Sequence, residues 1–229
     1  MKELSAETFF SFSSYKHTSL FKNNTFVWEA LNQIEGYLSS FLLGQIEISI
    51  PDGAYLMDPH LISIGKNSIV EPGAYIKGPC IIGNNCTVRH GAYIRGNLIT
   101  GDHCVIGHDT EIKNAIFLNH VHAAHFAYVG DSILGNQVNL GAGTKCANLK
   151  FNKHPIVIEF QGQKINTGLS KFGAVFGDKA QTGCNVVTNP GTILGKGVNC
   201  YPVVNVKGVI PACMSVKSNT QQIIEPQRL

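Results

Sequence analysis

Residues 64–107 read IGKNSIVEPGAYIKGPCIIGNNCTVRHGAYIRGNLITGDHCVIG. Stepping by six from Ile64 gives Val70, Ile76, Ile82, Val88, Ile94, Thr100, Ile106, Ile112 and Leu118. All are aliphatic except Thr100, which is β-branched. Gly often follows the anchor, as at Gly65, Gly83, Gly101 and Gly107. The frame returns at Phe176, Thr182, Thr188, Leu194, Cys200 and Val206. A helix cannot keep a period of six on one face, and strict strand alternation has a period of two. A short strand and a tight turn, repeated, does fit. Three such units make one coil of a triangular solenoid, whose coils bury their anchors against one another.

Other positions agree with a coil of 18 residues. Cys86 and Cys104 fall 18 apart in one slot, and Cys80, Ser68, Ala74, Ala92 and Thr110 fill equivalent slots. These cysteines are expected to be small inward packers. Before the repeats, Val27, Ala30, Leu31, Ile34, Leu38, Phe41 and Leu42 recur at helical spacing, which predicts a helix over 26–43 with Gly44 as its stop. It either packs on the first coils or serves as a linking arm. Residues 1–25 are rich in Phe and Ser and carry no pattern. Residues 148–171 break the period, and Val157, Ile158 and Phe160 before Gln161-Gly162 suggest a hairpin-like excursion. The expected division is a segment with a helical arm at 1–48, the solenoid at 49–213 and a tail at 214–229.

Composition narrows the function classes. Of 229 residues, 14% are charged, 44% are apolar and 24 are Gly, which excludes a charged disordered chain and collagen. A net charge of +3 is too mild to imply nucleic-acid binding. Seven Cys with no C-x-x-C pair form neither a secreted disulfide framework nor a zinc ribbon. The start, MKELSAETFFSFSSYK, lacks an apolar leader, and no run of 18 apolar residues occurs. A cytoplasmic protein without membrane contact is expected.

Lys77, Arg95 and Lys113 lie 18 apart, one residue past an anchor. In the coil they form a column of cations with rungs about 4.8 Å apart. Such charges repel unless they splay into solvent or hold an anion, and a phosphate suits Arg and Lys.

The repeats resemble the hexapeptide-repeat acyltransferases, whose fold is a left-handed parallel β-helix. More specific are His125-Phe-Ala-Tyr128-Val-Gly-Asp131, Asn136-Gln-Val-Asn139-Leu-Gly-Ala142-Gly-Thr144 and Ala147-Asn148-Leu-Lys, followed by Lys171-Phe-Gly-Ala-Val-Phe-Gly-Asp178 and Gln181-Thr-Gly-Cys-Asn185. These resemble the acetyltransferase domain of bifunctional N-acetylglucosamine-1-phosphate uridyltransferases, and more closely the archaeal-type sugar-1-phosphate nucleotidylyltransferase/acetyltransferases. The resemblance covers roughly residues 26–211.

It implies an acetyl-CoA-dependent N-acetyltransferase of an amino-sugar phosphate such as glucosamine 1-phosphate, in UDP-N-acetylglucosamine supply. His125 is then the general base, a role suited to an imidazole. Asp131 or a backbone carbonyl orients its ring. Arg95 and Lys113 fall on sugar-phosphate positions, Tyr128 and Asn139 on sugar positions, and Asn148 on an active-site Asn. Ala142 and Cys184 fall on acetyl-CoA positions, and no metal is expected. A homotrimer with its site between subunits is implied. The family's uridyltransferase half has no counterpart, and residues 1–25 contain no Gly for a nucleotide loop. Nucleotide transfer is therefore expected on a separate nucleotidyltransferase. The chain departs from the archaeal type at His154 and Val157, where that type carries loop lysines. Lys150 and Lys153 stand nearby.

Besides a neighbouring acyltransferase using another acyl donor, such as acyl carrier protein, two alternatives of other classes stay open. Zinc carbonic anhydrases of this fold use two His five residues apart, as His120 and His125 are. His122 is adjacent, and His90, His103 and His108 are candidates for a third ligand. Against zinc, Lys113 stands where that family's Ile-Gly-His pattern, here Ile106-Gly107-His108, requires its next His. The other alternative is a non-catalytic scaffold for a nucleotidyltransferase.

Overall fold

The computed structural model describes residues 2–218. The chain winds as a three-faced parallel β-helix. Face one runs from Tyr55–Met57 to Asn205–Val206 and face two from Ile62–Ile64 to Val209–Ile210. Face three runs from Ile69–Val70 to Ser215–Val216 in eight strands. The last strand lies beyond residue 213, so the coils continue into the expected tail. Residues 219–229 of that tail lie outside the described residues.

Every ladder in the coils is parallel, and the anchors point inward. Ile64, Ile76, Ile82, Val88, Ile94, Ile106 and Ile112 share one core with Phe176, Leu194 and Val206. Cys80, Cys86 and Cys104 are buried there as free thiols. Burial pushes the Cys80 thiol up to about 12, which leaves it a packer rather than a nucleophile.

The six-step frame slips after Ile112 and again after Val129. Phe117, not Leu118, pairs with Thr100 and enters the core, and Ala123 replaces Ala124 as the next inward residue. The cause is the edge between faces one and two. The coil through Arg95 turns there on two positive-φ residues, Gly96 and Asn97. The next two coils turn on one each, Asn114 (φ 46°) and Asp131 (φ 49°). Asn and Asp tolerate this backbone better than most residues. The step from Leu98 to Ala115 to Ser132 is therefore 17 residues each time, not 18.

Face two carries an outward aliphatic column that alternation along its strands makes apolar on both sides. Ile99, Ile116, Ile133, Val175 and Ile193 all point away from the solenoid core into a second cluster. The residues before the solenoid cover them. The predicted helix appears as a 3₁₀ turn, Val27–Glu29, and an α-helix, Ala30–Ser39. The Glu29 carboxylate accepts the Thr25 and Phe26 N–H groups at 2.8 and 3.2 Å and so starts it. Ser39 and Ser40 hydroxyls donate to Gly36 and Tyr37 carbonyls and end it before Gly44. Leu31, Ile34 and Leu38 lie with Ile116 and Ile133, so the helix packs on middle coils rather than the first or as a free arm.

The patternless residues ahead of the helix form a strap along the edge between faces two and three. A side-chain ladder climbs that edge. Asn84, Asp102, Asn119, Asn136 and Asp178 each accept, through Oδ1, a backbone N–H of the preceding coil. Remaining atoms of Asp102, Asn119, Asn136 and Asp178 hold the strap. Asn136 Nδ2 donates to the Ser11 carbonyl at 2.8 Å, Ser11 N–H donates to Asp178 Oδ2 at 2.7 Å, and Lys16 pairs with Asp102 at 3.0 Å.

The excursion after Cys146 forms the antiparallel hairpin Val157–Phe160 and Gln163–Asn166. Gln161 and Gly162, both at positive φ, make its turn. Ile156 and Ile158 fold back into the second cluster with Trp28 and Phe172.

Trp28 is 1% exposed and stacks on Phe26 at 4.6 Å. Trp28→Ala is expected to cost about 3–5 kcal/mol of stability, measured by denaturant unfolding followed by circular dichroism. An unchanged midpoint would mean the strap and solenoid unfold separately. His17, beneath Tyr37 with its Nδ1 2.9 Å from the hydroxyl, is held down to about 4 by burial and then by Lys16. Its folded value lies below the ordinary one, so its stabilising effect is full above about pH 6.5. That effect fades as pH falls toward 4. His17→Gln should flatten this part of the stability profile. Parallel wild-type and variant profiles would remove His17 from the linkage.

Candidate active site

The sequence-predicted residues fall along both borders of face one. The border with face two carries the cation column. Arg95 N–H donates to the Ile112 carbonyl, and Lys113 is in register with Gly130, so the column stacks as the spacing predicts. Arg95 and Lys113 do not stand bare. Arg95 Nη1 lies 2.8 Å from Glu111 Oε1, with both side chains well exposed. Lys113 Nζ lies 3.0 Å from Asp131 Oδ2, with side-chain exposures of 20% and 6%. Lys77 forms no ion pair among the described residues.

Asn148 closes this wall. Its Nδ2 donates to Asp131 Oδ2 and lies 3.3 Å from the Tyr128 hydroxyl. Asn114 Nδ2 donates to Asp131 Oδ1 at 3.0 Å. Burial, and then the Asp131 charge, raise the Tyr128 phenol above its ordinary value, which keeps it a neutral hydrogen-bonding group. Arg95, Lys113, Tyr128 and Asn148 thus come together. Asp131 does not orient His125 as the sequence suggested, because both its oxygens are committed to Lys113, Asn114 and Asn148.

The border between faces three and one carries His125. It stands in register with His108, and the Gly143, Asn185 and Val203 N–H groups continue the stack onto the carbonyls of His125, Ala142 and Cys184. Ala142 and Cys184 therefore lie on the coils above the imidazole, and Cys184 is exposed. Below it, His90 and His108 donate Nδ1–H to the Pro72 and His90 carbonyls at 2.8 and 3.0 Å. Their rings stack at 5.6 Å. This edge is narrow: a Cβ on Gly141 would overlap the Gly183 backbone of the next coil. Asn139 points outward from face three in register with His122 and Gln181, and no hydrogen bond joins it to the wall.

Within one chain, then, His125 and the cation wall are two groups joined by Phe126 and Ala127 and by the width of face one. The histidines of the zinc alternative are dispersed. His120 stacks on His103 at 4.7 Å on the edge between faces two and three, while His125 lies on the opposite border of face three. Among the described residues no group of three or more His, Cys, Asp or Glu is placed to hold a metal ion within the chain.

Sequence reasoning missed Glu111, Asn114 and the His90–His108 stack. Their signal was present: Glu111 and Lys113 are two apart on one strand, and His90 and His108 are one coil apart.

The family model described as the GMPPB C-terminal domain matches residues 76–229. The bifunctional sugar-1-phosphate nucleotidylyltransferase/acetyltransferase of Sulfurisphaera tokodaii is 37% identical over 92 residues, covering 40% of this chain. The bifunctional protein GlmU of Methanococcus vannielii is 40% identical over 95 residues, again 40% of this chain. The chain spans 23% of the length of each of these relatives. The solved acetyltransferase domain of PglB from Neisseria gonorrhoeae is 15% identical, with a TM-score of 0.35 over 84% of this chain and 64% of that one. The match over two-thirds of the chain, on coils whose anchors and edges are now placed, means that this protein belongs to the GMPPB C-terminal domain family and is a hexapeptide-repeat, left-handed β-helix.

Proposed function

We propose that the chain is an acetyl-CoA-dependent N-acetyltransferase of an amino-sugar phosphate, with glucosamine 1-phosphate as the leading acceptor. The observation that carries this is the placement of the wall and of His125 on the two borders of one narrow face, with Ala142 and Cys184 stacked above the imidazole. The acceptor's phosphate meets Arg95 and Lys113, and its hydroxyls meet Tyr128 and Asn148. His125 takes the proton that the amine loses as its nitrogen attacks the thioester carbonyl carbon. The C–S bond then breaks, and the imidazolium returns that proton to the departing thiolate. Acetyl-CoA lies along Ala142 and Cys184, where small side chains let it approach the backbone.

His125 and Asn139 are exposed and unpartnered by the wall, so one chain leaves the site open on that side. The functional unit is accordingly a homotrimer, with a neighbouring copy closing the site. A separate nucleotidyltransferase takes the product onward.

Turnover with a panel of amino-sugar phosphates tests the reading. His125→Ala should lower kcat by about 10² to 10⁴ with little change in acceptor affinity, and wild-type turnover in that variant removes the base. Arg95→Ala should weaken the phosphorylated acceptor by about 1.5–3 kcal/mol and leave the unphosphorylated sugar unaffected. Equal loss on both sugars would make the column structural, and absence of turnover with every acceptor would favour the scaffold alternative. Lys113→Ala is a poorer probe, because it leaves Asp131 buried without its cation. Sedimentation at the 24.8 kDa of a single chain at micromolar concentration would eliminate the shared site.

A further inference from the structure

Asp131 is the carboxylate that the wall buries. Its side chain is 6% exposed, against 38% for Glu111. Oδ2 accepts from Lys113 Nζ at 3.0 Å and from Asn148 Nδ2, and Oδ1 accepts from Asn114 Nδ2 at 3.0 Å. Its backbone carbonyl accepts the Gly173 N–H at 2.8 Å. The donors come from the preceding coil, from the start of the excursion and from just past its end. Asn148 Nδ2 also reaches the Tyr128 hydroxyl at 3.3 Å.

We propose that Asp131 is a positioning residue of the acceptor site, holding the Lys113 ammonium and the Asn148 amide in fixed places against which the phosphate and hydroxyls of an amino-sugar phosphate are read. The proposal rests on the acceptor reading of the wall given above. Its physical reason is the lysine itself. A point charge on a flexible four-carbon stem has no preferred direction, and at an edge it sweeps solvent. A buried carboxylate that is already satisfied by neighbours on either side gives the ammonium one place to stand. The same carboxylate orients the Asn148 amide with NH₂ inward, leaving its carbonyl oxygen for an acceptor hydroxyl.

Charge and position make opposite predictions. By Coulomb's law alone, removing the Asp131 charge makes the wall more positive and tightens phosphate binding. If Asp131 acts by position, the same change weakens it. Asp131→Asn is therefore expected to raise KM for glucosamine 1-phosphate about tenfold, the worth of one charge-assisted hydrogen bond, with kcat nearly unchanged. In a Lys113→Met background most of that rise should disappear, because the group being positioned is gone. A lowered or unchanged KM overturns the proposal, and so does an equal rise in both backgrounds, which is the mark of a general structural role.

A second readout needs no turnover. Reductive methylation of the folded protein, mapped by peptide mass, should label Lys113 faster in Asp131→Asn than in wild type. Equal rates overturn the proposal. If wild type neither binds nor acetylates amino-sugar phosphates, the acceptor reading falls, while the labelling still decides whether Asp131 holds Lys113. Should Asp131→Asn fail to fold, Asp131→Glu keeps the charge but displaces both oxygens by a methylene. It should give the same direction of change in KM, and a wild-type KM there overturns the proposal.

Discussion

A parallel coil hydrogen-bonds the next only if both close on nearly the same perimeter, and this closure governs the rest of the molecule. Three edges per coil set the perimeter, and most edges turn on a residue at positive φ. On the edge between faces one and two the coil through Gly96 and Asn97 takes 18 residues, and the next two, through Asn114 and through Asp131, take 17. The shorter edge carries the strand straight round the corner, so Glu111–Phe117 and Tyr128–Leu134 are continuous across faces one and two. That continuity brings Lys113, Asn114 and Asp131 to one spot. Geometry demanded by backbone closure thus also assembles the most buried charge of the wall.

The same closure leaves face two with a problem that its own chain solves. Strand alternation there gives aliphatic residues on both sides, an arrangement that in a solenoid calls for a cover. The strap, the helix and the hairpin supply it. Their attachment combines two unlike forces: burial of Trp28, Leu31 and Ile34 on the aliphatic column, and hydrogen bonds from an Asn/Asp ladder that is already capping backbone N–H groups. Asp102, Asn119, Asn136 and Asp178 each serve the coil with one side-chain atom and the strap with another. Faces one and three remain open, and the site residues lie on their shared border and on the far side of face one.

The coils were legible because the six-step frame is local: each anchor reports on a strand two or three residues long. The slip at Phe117 was not legible, because a one-residue edge shows only as Lys113-Asn114-Ala115 in place of Arg95-Gly96-Asn97-Leu98, a deletion invisible without the partner coil. The cover was half legible. The helix had its period, but residues 2–21 fold as short turns whose apolar side chains follow the surface they lie on rather than any period of their own. Ile99, Ile116, Ile133 and Val175 did carry a signal, one aliphatic residue per coil where solvent was expected. In the wall, resemblance to the family pointed to Arg95, Lys113, Tyr128 and Asn148, but not to the carboxylates beside them. Asp131 was one of two candidates, with a backbone carbonyl, to orient the His125 ring; in space it belongs to the border one face away.

Charge balance separates the two cations of the wall. Arg95, Glu111, Lys113 and Asp131 sum to zero, so at these two rungs the column is not a standing positive field awaiting an anion. On the acceptor reading proposed above, an anionic group reaches these rungs either by taking a cation from its carboxylate or by sharing one with it. The Arg95–Glu111 pair is exposed, and such pairs are worth only about 0–1 kcal/mol, so Arg95 exchanges partners at little cost and Glu111 returns to water. Lys113 cannot leave Asp131 on those terms, because the carboxylate it abandons stays buried. On the same reading Lys113 binds an acceptor while keeping its own carboxylate, using the ammonium hydrogens that remain. Arg95 is the mobile half of the wall and Lys113 the fixed half, a division that follows from burial and is invisible in a column where both read only as positive charge.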